Sequence, residues 1–333
     1  ALNNYNKAIE LDSLSAKAYI NRAIVYYYQH EIINAFNDYE KAIKINPDIE
    51  LPFNMKGIYN YNYIGEYDIA LADLNKAIEL YPNDDRAYYT RAQLKYSVHK
   101  DTAGALMDFN KAISLYPNDP WYWLERGNLK QNLVNDTGAI HDYTKAIEID
   151  STFENAYYNR AICRSYLDDL QGAIEDFTKI IEFEPDDDYA YGYRGSCKLA
   201  LKDYQGAILD INKAIEINPN NKEGYLNRGT IKLNRGDIQG AMEDYTTSIE
   251  IDPNFTTAIY YRANLKYNLG DYRGAVDDYN KVIENEPNSP NSHYYRGWSK
   301  IGLEKKDEGC LDFKKALELG QKDAIEAIKV FCK

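Results

Sequence analysis

Four histidines, His30, His99, His141 and His293, and four cysteines, Cys163, Cys197, Cys310 and Cys332, are the residues best suited to hold a metal or attack a substrate. None shows the H-E-x-x-H or C-x-x-C spacing that brings two ligands onto one helix face or one turn. The expectation is no metal site, no cofactor and no catalytic residue. The histidines read as surface or capping residues, and the cysteines as reduced, packed thiols too few for a disulfide framework. The acidic run Glu182, Glu184, Asp186, Asp187 and Asp188 could attract a cation, but it lacks the D-x-D-x-D-G order of a calcium loop. It reads as the start of a helix, where carboxylates complement the dipole. No glycine-rich phosphate loop, nucleophile elbow or dinucleotide fingerprint occurs, so the chain is expected not to be an enzyme.

Charge is arranged with more regularity. Arg22, Lys56, Arg91, Arg126, Arg160, Arg194, Arg228, Arg262 and Arg296 form one basic series, joined four residues later from Lys95 onward by a second cation. Two cations four apart on a helix face repel unless an anion stands between them. One is available each time: Asp38, Asp73, Asp108, Asp142, Asp176, Asp210, Asp244, Asp278 and Asp312. Each carboxylate is therefore expected to pair with a guanidinium of its own or a neighbouring segment, linking two helices. The rival reading, a row of cations gripping an acidic ligand, is weaker because the matched acids already satisfy the charge.

These series follow from an internal repeat. The triplet Lys-Ala-Ile or a close variant begins at Lys7, Lys41, Lys76, Lys111, Lys145, Lys179, Lys213, Thr247, Lys281 and Lys315, with seven spacings of 34 and two of 35. That leaves no room for independent domains. Nine units follow, 16–49, 50–84, 85–119, 120–153, 154–187, 188–221, 222–255, 256–289 and 290–323, preceded by a half unit 1–15. Apolar residues at intervals of three and four, as in Ala173, Phe177, Ile180 and Ile181, mark helices. Gly236-Asp237 and Gly270-Asp271 mark the turn between two helices of a unit, and a proline such as Pro185 marks the end. The eighth place is always Ala or Gly, from Ala23 to Gly297, and faces large residues such as Tyr143 and Phe177, as closely packed helices require.

On these residues the chain resembles the tetratricopeptide repeat family. The likeness runs from residue 1 to about 323, with one systematic departure: Arg or Lys precedes the small eighth residue where the family usually has leucine. The resemblance implies an all-α, right-handed superhelix of stacked helix-turn-helix repeats, a tetratricopeptide solenoid whose first helices line a concave groove. Residues 324–333 depart from the repeat and are expected to form a capping helix with Ile325, Ile328 and Phe331 or Cys332 on its apolar face and Lys329 and Lys333 outside.

By the same resemblance, certain places of each first helix face the groove. They are Tyr27, Tyr61, Tyr89, Tyr96, Trp121, Asn128, Tyr158, Asn159, Tyr193, Asn227, Tyr260, Asn264, Tyr294 and Trp298. Tyrosine and tryptophan offer large contact areas at low rotamer cost, and asparagine amides can bond an extended peptide backbone. The expected function is a non-catalytic scaffold that binds an extended peptide or helix of a partner. A substrate-recruiting arm of a larger enzyme and a receptor for a small peptide or saccharide are the alternatives. Many of the 33 tyrosines are also expected to fill the core between helices. Lys and Asn places that hold a C-terminal carboxylate in chaperone-binding members are not reproduced, since the groove offers almost only Lys17 and Arg86 as cations.

Composition excludes other partners. With 39 basic and 52 acidic residues the net charge is -13, which opposes binding to nucleic acid or anionic lipid. No apolar stretch approaches the 18 or more residues needed to span a bilayer, so membrane insertion is not expected. The chain opens on Ala1 within a helical pattern, so an upstream segment is expected and localisation stays open, with the cytoplasm preferred. The unpaired helix 1–15 leaves an edge on which another copy could stack end to end.

Overall fold

The computed structural model describes residues 1–332, which form twenty α-helices and one π-helical turn. The residues form two compact units, Ala1–Asp168 and a second beginning at Asp169. The first holds α1 (Leu2–Leu11), the pairs α2/α3 (Ala16–Tyr28, Ile32–Ile45), α4/α5 (Glu50–Tyr59, Tyr67–Leu80), α6/α7 (Asp85–Ser97, Thr102–Leu115) and α8/α9 (Pro120–Asn132, Asp136–Ile149), then α10 (Glu154–Tyr166). The second holds α11 (Leu170–Phe183), α12/α13 (Asp188–Ala200, Tyr204–Ile217), α14/α15 (Lys222–Asn234, Ile238–Ile251), α16/α17 (Thr256–Asn268, Tyr272–Asn285), α18/α19 (Pro290–Gly302, Lys306–Glu318) and α20 (Ala324–Phe331). In each unit the helices of a pair pack on one another and each second helix packs on the next first helix. First helices of adjacent repeats also touch, α4 with α6 and α8 with α10 in one unit, α12 with α14 and α16 with α18 in the other. Each unit is an all-α stack of helix-turn-helix repeats.

Helix starts are set by side-chain caps. Asp84, Asp101, Asp119, Asn135, Asp187, Asp203, Asn221, Asp237 and Asp271 each accept a hydrogen bond from a backbone N–H in the first turn they open. Between the paired helices the chain passes through a left-handed residue: Gly236 and Gly270 have φ of 84° and 80°. Other repeats place His30, Lys100, Val134, Lys202 or Glu304 there at φ near 60°, without glycine's freedom. The two 35-residue units absorb their extra residue differently. In 50–84 it becomes the π-helical turn Asn60–Ile64 that continues α4. In 85–119 it lengthens the turn between α6 and α7 to residues 98–101.

The small eighth residue is where the two helices of a repeat meet. A Cβ on Gly127 would lie 2.6 Å from the Tyr143 ring, and one on Gly229 would lie 2.8 Å from Tyr245. Tyr143, Tyr245 and Tyr279 are fully buried, so part of the tyrosine content is core, as composition suggested.

Two expectations are corrected. Cys310 and Cys332 are joined by a disulfide, with Cα atoms 5.5 Å apart, and are not free thiols. The bond ties the end of the chain back to α19, a proximity that sequence spacing alone does not display. Cys163 and Cys197 remain free and buried. Helix α20 packs on α18 and α19 through Ala324, Ala327, Ile328 and Phe331, whereas Ile325, expected on the apolar face with Ile328 and Phe331, is exposed. This i, i+3, i+4, i+7 set is one helical face, turned one residue from the expected one. Lys333 lies outside the described residues.

Candidate functional site

The matched charges close on themselves. Arg126 Nε and Nη2 lie 2.8 and 2.7 Å from the two oxygens of Asp142, and Lys130 Nζ stands 2.7 Å from the second oxygen. The same two-pronged pair recurs as Arg22–Asp38, Arg91–Asp108, Arg194–Asp210, Arg228–Asp244, Arg262–Asp278 and Arg296–Asp312. The repeat 50–84 keeps only a looser version, Lys56 Nζ at 3.6 Å from Asp73. Each guanidinium also uses Nη1 to reach the second helix of the preceding repeat. Arg22 bonds Asn6, Arg91 bonds Asn75, Arg160 bonds Thr144 and Arg228 bonds Asn212. Aromatic rings three residues earlier, such as Tyr88 and Trp123, lie beneath the guanidiniums of Arg91 and Arg126. These side chains are structural clamps and are not offered to a ligand.

The tyrosines and asparagines of the first helices behave differently. Tyr27, Trp121 and Tyr193 are exposed, and Tyr61, Tyr89, Tyr96, Asn128, Tyr158, Asn159, Asn227, Tyr260, Asn264, Tyr294 and Trp298 are half-buried. Amides link neighbouring repeats: Asn159 Nδ2 donates to Asn128 Oδ1 at 2.8 Å and Asn227 Nδ2 donates to Ser196 Oγ at 2.9 Å. The hydroxyls of core tyrosines reach such amides in each unit, Tyr143 donating to Asn128 in the first and Tyr279 to Asn264 in the second. Tyr89 leans edge-on against Phe109 and tilts over Tyr122, and Tyr260 stands edge-on to Tyr279, so each has one side in the core. Tyr294 and Trp298 pack on Phe313, with Trp298 also against Phe331 of the cap. They belong to the covered end of the second unit more than to an open row.

The first helices of neither unit are wholly uncharged on this side. Glu125 is half-buried and burial pushes its carboxyl above the usual range, with the Asn128 amide opposing at 3.5 Å. Glu223 is exposed beside a cavity of about 520 Å³ between α12, α14 and the turn 218–221. Asp188, Tyr189, Gly192, Tyr193, Ser196, Asn218, Asn221 and Asn227 are among its walls. Of these, Tyr193 and Asn227 were expected from the sequence. Gly192, Asp188, Asn218 and Asn221 were not, although one signal was present. Gly192 stands at the fifth place of its repeat, where the other eight carry Ile20, Asn54, Tyr89, Leu124, Tyr158, Leu226, Tyr260 and Tyr294. Two repeats on, the corresponding space beside Tyr260 measures about 210 Å³.

Among the described residues no three His, Cys, Asp or Glu side chains converge as a metal site would need. No helix among them is long and apolar enough to cross a membrane.

Models of the tetratricopeptide repeat match residues 16–49, 61–120, 158–222, 211–243 and 257–289, together well over half of the chain. No curated protein matches the sequence. Among solved structures, a tetratricopeptide repeat protein from Parabacteroides merdae is similar at 21% identity and TM-score 0.60, over 75% of this chain and 99% of its own. Yeast Tom70 is similar at 16% identity and TM-score 0.54, over 99% of this chain and 91% of its own. YrrB, described as a TPR protein with an unusual peptide-binding site, is similar at 22% identity and TM-score 0.51, over 56% of this chain and 95% of its own. At such identities the likeness is one of fold.

Proposed function

The chain belongs to the tetratricopeptide repeat family, whose repeats serve in general as non-catalytic protein-interaction modules, and from that premise we propose that it is a scaffold gripping an extended segment or helix of a partner along the first helices of a unit. The observation that carries this reading is the division of labour between side chains. The basic residues of the first helices are consumed in clamps with Asp, whereas Tyr27, Trp121 and Tyr193 keep exposed rings, with the Asn128 amide on the helix of Trp121 and the Asn227 amide on α14, the first helix after that of Tyr193. Rigid aromatic surface beside paired amides suits a polypeptide whose backbone needs donors and acceptors and whose side chains are partly apolar. YrrB is described as binding peptide, which agrees with this reading without carrying it.

The test uses the whole chain as bait against a peptide array, in parallel with a variant carrying Tyr158→Ala, Tyr193→Ala and Tyr260→Ala. Selective peptide binding that the variant loses while its helical circular dichroism persists is the expected result. Calorimetry against neutral oligosaccharides supplies the contrast: sugar binding without peptide binding would overturn the proposal in favour of a saccharide receptor.

A further inference from the structure

We infer that the cavity beside Gly192 receives a cationic side chain, arginine or lysine, of the bound peptide and so fixes its register. This rests on the peptide-binding reading and names what one point of that surface recognises.

The cavity exists because a side chain is missing. Its volume of about 520 Å³ falls within the roughly 300–1,000 Å³ typical of ligand pockets. The equivalent space two repeats on, with Tyr260 in place of Gly192, has about 210 Å³. A Cβ added at Gly192 would meet only Asn221 Nδ2, at 3.9 Å, so close packing does not demand the glycine. This differs from the eighth place, where Gly229 is required by the Tyr245 ring.

The charges around the opening are unbalanced toward the acidic side. Asp188 Oδ2 accepts hydrogen bonds from Asn218 Nδ2 at 2.9 Å and Asn221 Nδ2 at 3.1 Å, both neutral donors. Among the described residues it has no cationic partner within an ion-pair distance. Lys222, the one cation of the lining, is drawn away to Asp252 at 2.6 Å and stands 3.9 Å from Glu223. Asp188 is thus left facing the space without a close counter-charge, and Glu223 has only a long 3.9 Å contact with a lysine that Asp252 already engages. Tyr189 and Tyr193 flank it with rings 62% and 44% exposed. The Tyr193 ring is stacked on Phe177, which holds its orientation. Two carboxylates with flanking aromatic rings attract a guanidinium or ammonium through charge-assisted hydrogen bonds and cation–π contact, and they repel an anion. The net charge of -13 adds long-range attraction of the same sign.

The experiment measures binding of end-blocked nine-residue peptide pools to the whole protein by fluorescence polarisation. One central position is fixed as Arg, Lys, Gln, Leu or Glu and the others are randomised. The Arg and Lys pools are expected to bind about tenfold more tightly than the Gln, Leu and Glu pools. Gly192→Tyr, which gives the repeat the residue found at Tyr158 and Tyr260, should abolish the preference, and Asp188→Asn should reduce it. Arginine amide alone is a further arm. Tight binding of it with no gain from the peptide would reassign the cavity to a free small cation and overturn the inference. Pools bound equally whatever the fixed residue, and weakened by Tyr260→Ala, would overturn the inference yet leave the peptide groove standing. Pools that bind neither the parent nor any variant would remove both.

Discussion

Arg126 grips Asp142 with two nitrogens at 2.8 and 2.7 Å while the carboxylate is fully buried between the paired helices α8 and α9. Removing one partner of such a pair strands the other. Asp142→Ala leaves Arg126 and Lys130 facing one another without an anion, and is expected to cost about 3–5 kcal/mol. Lys145→Ala breaks an exposed pair with Glu148 and is expected to cost under about 0.5 kcal/mol. Urea unfolding of the two variants followed by helical circular dichroism checks the contrast, and equal costs would refute it.

The left-handed turn offers a stabilising change. Val134 sits at φ 58° with a β-branched side chain that is 85% exposed and makes no use of the position. Left-handed geometry costs a non-glycine residue roughly 1–2 kcal/mol, part of which glycine's greater freedom in the unfolded chain offsets. Val134→Gly is therefore expected to gain up to about 1 kcal/mol, and the reverse change Gly236→Val to lose about as much. Thermal unfolding midpoints that move in the opposite directions would show that the turn is not strained.

Two aspartates at the same place respond oppositely to pH. Burial opposes the charge of Asp312, but hydrogen bonds from Arg296 and Lys300 outweigh it and hold the carboxyl below its usual range. Its contribution is present above the unfolded value, about 3.9, and is lost as pH falls through the lower folded value. At Asp73 burial dominates over the looser Lys56 and Asn60 contacts and the carboxyl is raised. There the stabilising share is present below the unfolded value and lost as pH rises through the folded one. Lys56→Arg, which restores the two-pronged grip of the other repeats, should therefore stabilise the protein more at pH 7 than at pH 4. Unfolding free energies of parent and variant at the two pH values decide this.

Thiol chemistry separates the cysteines. Burial pushes the Cys163 thiol up to about 12, with Asp136 adding to the effect, and burial alone pushes Cys197 up to about 11. Neither should react with a thiol reagent at pH 8 in the native protein. In denaturant two thiols should titrate, and after reduction four. Reduction opens a bond between residues 22 apart, and chain entropy puts its worth at about 3 kcal/mol, confined first to the anchoring of α20. Four reactive thiols in unreduced, denatured protein would show that the bond does not form.

The turns at Gly236 and Gly270 and the Arg–Asp clamps were legible because each depends on residues within about one repeat of each other, and the near-constant spacing of 34 or 35 repeats the Arg–Asp pattern along the chain. The disulfide was not, since Cys310 and Cys332 become neighbours only once α20 has folded back on α19. The π-helical turn at Asn60–Ile64 was hidden for a different reason: an extra residue shows in the count, but helix and turn can both absorb it. Gly192 was visible as an oddity at the fifth place, yet a cavity is defined by what surrounds it, and Asp188 lies on α12 while Asn218 and Asn221 lie on the turn a full helix pair later.

The arginine clamps reach one second helix ahead and one behind, and the Tyr122 hydroxyl reaches Asp85, 37 positions away, about one repeat. Nothing in this wiring refers to how many copies there are. Duplicating or deleting one whole 34-residue cassette would hand every remaining arginine an equivalent pair of neighbours, so the array can lengthen or shorten over generations without any clamp having to be reinvented.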